Sequence, residues 1–108
     1  MRVPILLCTD MDRTLIPNGE SPESPRARTL FGKLCDHPDV TLVYVTGRDM
    51  GRVHEGIRSY DLPTPDHVIA DVGTTIMTRG GERLVEWDAC IEPDWGGRRI
   101  ADLQTLVG

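Results

Sequence analysis

The chain has 108 residues, 39% hydrophobic and 27% charged, with 11 glycines and 8 prolines, which suits one turn-rich α/β domain with a modest core. Its formal net charge of -5 and pI near 5.0 exclude the clustered basic surface that nucleic acids require. No apolar run is long enough to cross a membrane, and the three cysteines, Cys8, Cys35 and Cys90, are odd in number and lack metal-ligand spacing. The expected compartment is therefore the reducing cytoplasm, with no secretion signal.

In chain order, Val3, Ile5, Leu6, Leu7 and Cys8 form a short apolar run that fits a buried strand of a parallel sheet. Cys8 is expected in the core for the same reason. Asp10 and Asp12 follow at the carboxyl end of that strand, where open α/β sheets gather their ligands. Strand alternation does not hold in a loop, so both carboxylates are expected to turn towards one pocket. One carboxylate there can attack phosphorus while the other handles the protons of leaving group and water. The same oxygen-rich corner suits a hard cation such as Mg²⁺. The plain alternative is a turn in which Asp caps backbone amides.

Pro17-Asn18-Gly19 reads as a turn, and Ser24-Pro25 as an N-cap followed by proline at the first helical position. Ala27, Leu30, Phe31 and Leu34 then recur at helical spacing until Pro38. Residues 40–45 are nearly all apolar, the mark of an interior parallel strand. Thr46 and Gly47 come next; Thr46 suits either a helix cap or a phosphate contact, with helix N-terminal amides adding positive potential. Met50, Val53, Ile57 and Tyr60 form the inner stripe of a second helix, and Pro63 and Pro65 precede a third strand at residues 67–70. Strand, helix, strand, helix, strand means a parallel sheet.

Asp71 reads equally as a turn residue or as a hydrogen bonder at the pocket edge, and Gly73 as a tight backbone turn. Residues 74–77 and 83–87 are β-rich and flank a glycine-containing turn, so a hairpin is expected. Residues 98–106 carry Ile100, Leu103 and Leu106 at helical spacing. His37, His54 and His67 lie on polar faces or near strand starts and are read as non-catalytic.

Asp10-Met11-Asp12-Arg13-Thr14-Leu15 resembles motif I of the haloacid dehalogenase (HAD) superfamily of aspartate-nucleophile phosphohydrolases. Val43-Tyr44-Val45-Thr46-Gly47-Arg48 resembles its motif II, and residues 66–76 resemble the following segment in the type IIB, sucrose-phosphate phosphatase-like branch. The resemblance implies a Rossmann-like HAD core, here its first three strands and two helices. It implies Asp10 as nucleophile, Asp12 as general acid/base, and Mg²⁺ held by the Asp10 carboxylate and the Asp12 backbone carbonyl. It also implies that Thr46, Gly47 and Arg48 bind phosphate or substrate, a small phosphorylated molecule and expectedly a sugar phosphate. For Arg48 an ion pair with a motif I carboxylate is as good a reading as substrate contact. Arg13 stands where the family usually has a small residue; an outward orientation is preferred over a phosphate clamp, and Thr14 is expected to bond locally.

Two family elements find no counterpart. Lys33 is the only lysine and precedes Thr46, so it cannot take the place of the family's downstream phosphate-binding lysine. Nothing after Met77 resembles Gly-Asp-x-x-x-Asp, the second acidic pair. The expectation is an amino-terminal part of a larger enzyme: core at residues 1–80, then a hairpin strand and the start of a cap insertion at 81–108, where Trp87 and Trp95 would pack. An unpaired edge of the first strand would invite self-association. A phosphosugar mutase of the same fold and a non-catalytic phosphate- or metal-binding module are the alternative functions.

Overall fold

The computed structural model of the chain describes residues 3–17, 26–95 and 104–105. Strand β1 (Ile5–Thr9) is followed by helix α1 (Ala27–Cys35), strand β2 (Val40–Val45), helix α2 (Met50–Ser59) and strand β3 (His67–Ala70). A left-handed turn at Asp71–Gly73 leads into strand β4 (Thr75–Thr78) and helix α3 (Val85–Trp95). The sheet order is β1-β2-β3-β4; β1–β2 and β2–β3 are parallel and β3–β4 is antiparallel. The expected α/β core with its first three parallel strands is present.

β2 is the interior strand because both its faces are apolar. Val40, Leu42, Val43 and Tyr44 are buried, and β2 pairs with a neighbour on each side. Asp66 adds one rung before β3 begins: its backbone N–H donates to the Leu42 carbonyl, and its carboxylate accepts from the Leu42 N–H at 2.8 Å. The phenol of Tyr44, fully buried, donates to the Pro63 carbonyl at 2.6 Å, which satisfies a polar tip that would otherwise be costly to bury. Burial raises the proton affinity of that phenol well above the usual range. Val53 fills the core from α2, with Met50, Ile57 and Tyr60 packed beside it. The α2 stripe read from the sequence is the one observed.

Elsewhere the structure corrects the sequence reading. β1 pairs with one strand among the described residues, and Ile5, Leu6 and Cys8 are exposed. Cys8 is therefore not a core residue here: among the described residues nothing covers its face of β1. In α1, Leu30 and Leu34 are exposed while Phe31 and Cys35 pack on the core, so that helix presents a narrower buried face than its apolar spacing suggests. The hairpin after β4 is shorter than expected. Thr78 and Glu82 close its turn, Met77 bridges Arg83, and Leu84 donates to the Ile76 carbonyl. From Val85 the chain is helical, not extended. Glu86 and Asp88 favour a helix N-terminus, and from this helix the Trp87 indole donates to the Gly73 carbonyl. Pro93 lies inside α3. Asn18, Gly19, Ser24, Pro25 and most of 98–106, with the turn, cap and helix expected there, lie outside the described residues, as does the Trp95 side chain.

Candidate active site

The loop after β1 is fixed by the residue between its two acids. Met11 is fully buried, as is Ile16. The Met11 carbonyl accepts from the N–H groups of Thr14, Leu15 and Ile16, and Arg13 N–H donates to the Ile16 carbonyl at 2.8 Å. Two apolar anchors thus pin a tight loop whose tip residue, Arg13, adopts a left-handed backbone with φ 60° and is exposed. That matches the outward orientation preferred for it. With Met11 turned inward, Asp10 faces out. Its Oδ1 accepts from the Met11 N–H at 2.7 Å.

The Asp12 carboxylate takes a different course. Arg48 grips it with both arms of its guanidinium, Nε to Oδ2 at 2.8 Å and Nη2 to Oδ1 at 2.7 Å. Paired forks of this kind are the strong, geometrically specific form of the ion pair. Arg48 is itself held by Nη1 donating to the Arg52 carbonyl at 3.0 Å. Its proton affinity is raised, first by the hydrogen bond to Asp12, with burial opposing and the Asp12 charge adding. The ion-pair reading of Arg48 is thus the arrangement seen.

The Arg48 head rests on α2 where Gly56 leaves room for it. A Cβ at Gly56 would stand 3.1 Å from Arg48 Nη1, 3.1 Å from Ile16 Cδ1 and 3.2 Å from Met11 Cε. Gly56→Ala should therefore lower unfolding free energy by about 1–3 kcal/mol, the usual cost of overpacking, although alanine is the better helix former. Urea denaturation checks it; a neutral or stabilising result would contradict the tight contact between α2, Arg48 and the acidic loop.

Thr46 directly follows β2 and is 4% exposed. Its Oγ1 accepts from the Arg48 N–H at 3.1 Å, and its own N–H donates to the Ile69 carbonyl. It does not cap α2: that role falls to Asp49, whose side chain accepts from the Arg52 N–H at 2.9 Å. Across from Thr46, the Asp71–Gly73 turn carries φ values of 51°, 56° and 93°. Asp71 N–H donates to the Arg48 carbonyl, Thr75 Oγ1 donates to Asp71 Oδ2 at 2.8 Å, and the Trp87 indole N–H donates to the Gly73 carbonyl at 2.8 Å.

Together the three strand ends enclose an open cleft of about 520 Å³ lined by residues including Asp10, Thr46, Gly47, Val72 and Gly73. Asp10, Thr46 and Gly47 thus meet in one place. From the sequence both carboxylates are expected to turn towards one pocket; here the Asp12 carboxylate is held by Arg48, and neither residue is among those lining this cleft. Arg48 competes for the Asp12 carboxylate and draws it towards α2. As to a cation, the oxygen donors of Asp10 and of the Asp12 backbone fit a hard ion in kind, since Mg²⁺ is held by one or two carboxylates together with water and phosphate. Among the described residues no group of three or more His, Cys, Asp or Glu is placed to hold a metal, so these donors form part of a shell.

Sequence reasoning missed Gly56, Asp49 and Val72. Asp49, followed by α2, carried a readable capping signal; Gly56 and Val72 carried none, because a close approach and a strained backbone depend on the folded neighbours.

Residues 3–106 match the family model described as sucrose-6F-phosphate phosphohydrolase. A protein of Nitrosococcus oceani named as a HAD-like hydrolase is 44% identical over 109 residues, covering 98% of this chain and 29% of that protein. A mannosylfructose-phosphate phosphatase of Agrobacterium fabrum is 27% identical over 94% of this chain and 41% of its own length. Among solved structures, the sucrose-phosphatase of Synechocystis, determined with sucrose and phosphate, superposes with a TM-score of 0.76 at 23% identity. That match covers 99% of this chain and 40% of that one, a likeness of fold. The chain thus spans less than half the length of each of these proteins.

Proposed function

The chain belongs to the sucrose-6F-phosphate phosphohydrolase family of HAD hydrolases, and from that premise we propose that the whole protein is a Mg²⁺-dependent phosphomonoesterase acting on a sugar phosphate. The observation that carries this reading is Asp10, an acidic side chain lining one cleft together with Thr46 and Gly47. The relatives named for phosphorylated sugars support the substrate class.

Asp10 attacks phosphorus in line. A bond forms between its carboxylate oxygen and phosphorus, and the bond from phosphorus to the sugar oxygen breaks. Asp12 protonates the departing sugar oxygen, then takes the proton from the water that hydrolyses the aspartyl-phosphate. For these transfers the Asp12 carboxylate must turn from the Arg48 fork towards the cleft. Thr46 and the Gly47 backbone hold the phosphoryl oxygens. A bound Mg²⁺, held by the Asp10 carboxylate and the Asp12 backbone carbonyl, would supply charge neutralisation at the phosphoryl group. Residues 81–108 begin the cap insertion, whose remaining parts select the leaving group, and the cytoplasm supplies both ion and substrate.

The test is phosphate release by the whole protein from sucrose 6F-phosphate and from hexose 6-phosphates, with Mg²⁺ and then with chelator. Turnover should fall at least tenfold on chelation, on the scale of lost transition-state charge stabilisation, and return with Mg²⁺. Turnover indifferent to chelation would contradict the metal; isomerised sugar phosphate in excess of free phosphate would make the protein a mutase.

A further inference from the structure

The Asp71–Gly73 turn contains a residue that neither packing nor turn chemistry explains. Val72 has φ 56° and ψ 37°, the left-handed region in which a β-branched side chain is a genuine outlier. Glycine or asparagine is the ordinary occupant of such a position. Nor is Val72 paid in burial: it is 84% exposed, more than Val3, Leu6 or any other exposed large hydrophobic of the described residues.

The backbone is nevertheless tied in place from three elements. Val72 N–H donates to the Thr46 carbonyl at 3.3 Å, and Asp71 N–H to the Arg48 carbonyl at 2.9 Å. Thr74 and Thr75 hydroxyls bond to Asp71, and Trp87 of α3 bonds to the Gly73 carbonyl. Held this way, the Val72 side chain lines the cleft that Asp10, Thr46 and Gly47 share. Its Cγ2 stands 3.6 Å from where a Cβ of Gly47 would be, so it forms the apolar wall directly beside the Thr46-Gly47 wall.

A strained residue kept by its surroundings points to function when the strain brings no stability. We infer that Val72 is a substrate-contacting residue that sets specificity, packing its methyl groups against the carbon skeleton of the phosphorylated substrate. The inference rests on the hydrolase reading above. An apolar contact of this size separates substrates by their organic part, because a phosphorylated compound with almost no skeleton has nothing to place against it.

The experiment compares the whole protein with Val72→Asn and Val72→Gly. Both replacements accept the left-handed backbone and remove the methyl groups. For each, kcat/KM is measured for acetyl phosphate and for the fastest ester among sucrose 6F-phosphate and the hexose 6-phosphates. The ratio of sugar phosphate to acetyl phosphate should fall about tenfold, the low end of discrimination by a single apolar contact. The melting temperature of Val72→Asn should rise by about 2–4 °C as strain is relieved. A ratio unchanged within about twofold would overturn the specificity role, and a clear fall in melting temperature would overturn the strained turn on which it stands. Wild-type turnover of acetyl phosphate with none of the sugar esters would overturn the substrate class and this inference together. No turnover of either would overturn the hydrolase reading itself.

Discussion

Assayed by itself with Mg²⁺, the 108-residue chain should release phosphate from an aryl phosphate no faster than its own Asp10→Asn variant. Asp10 is the one carboxylate lining the cleft among the described residues, and phosphoryl transfer depends on positive charge placed around the transferring group. Lys33 cannot supply it, because it lies in the last turn of α1 and is absent from the cleft lining. Losing a single such contact typically costs about 10²–10³ in rate, so a chain lacking several should be indistinguishable from background. The Arg48 fork compounds the deficit by drawing Asp12 away from the cleft. Solution behaviour should show the same incompleteness. β1 leaves one side unpaired among the described residues, and Ile5 and Leu6 are exposed, as are Leu30 and Leu34 of α1. We propose that this edge associates with a second copy, since an apolar strand edge is a template for pairing. Sedimentation should report species larger than a monomer. Asp10-dependent turnover well above background, from a monomer, would contradict both parts.

What the sequence made legible follows from which signals are local. Residues 40–45 read as an interior strand because both faces of β2 are apolar, and the α2 stripe of Met50, Val53, Ile57 and Tyr60 read correctly because the helical period is intrinsic to the helix. Asp10, Thr46 and Gly47 were placed together because each follows a strand, and parallel strands bring their carboxyl ends to one edge. The misreadings arise where the partner decides. Cys8 and Leu30 look like core residues, yet what covers a β1 face or an α1 face is not written in either segment. The stretch 83–87 alternates well enough for a strand, but the Trp87–Gly73 hydrogen bond and the acids of the first α3 turn favour the helix. The direction of Asp12 was settled by Arg48, distant in sequence, and the strain at Val72 by hydrogen bonds from the segment after β2 and from α3 that no local pattern announces.

The family membership fixes the chemistry to be tested, and Asp10 is where it is tested most directly. An amide in place of the Asp10 carboxylate keeps the shape of the loop, including an oxygen able to accept from the Met11 N–H, while removing the attacking group. In the whole protein, Asp10→Asn should lower kcat on the order of 10⁴-fold or more, as loss of a covalent nucleophile does, with little change in melting temperature because Asp10 is exposed. The decisive measurement is an acid quench of the wild-type protein during turnover of a sugar phosphate, followed by digestion and mass spectrometry of the peptide containing Asp10. A phosphoryl group on Asp10, absent from the Asp10→Asn protein, is the predicted result. Undiminished turnover by Asp10→Asn, or a phosphoryl group found on another residue, would contradict the assignment of Asp10 as the nucleophile.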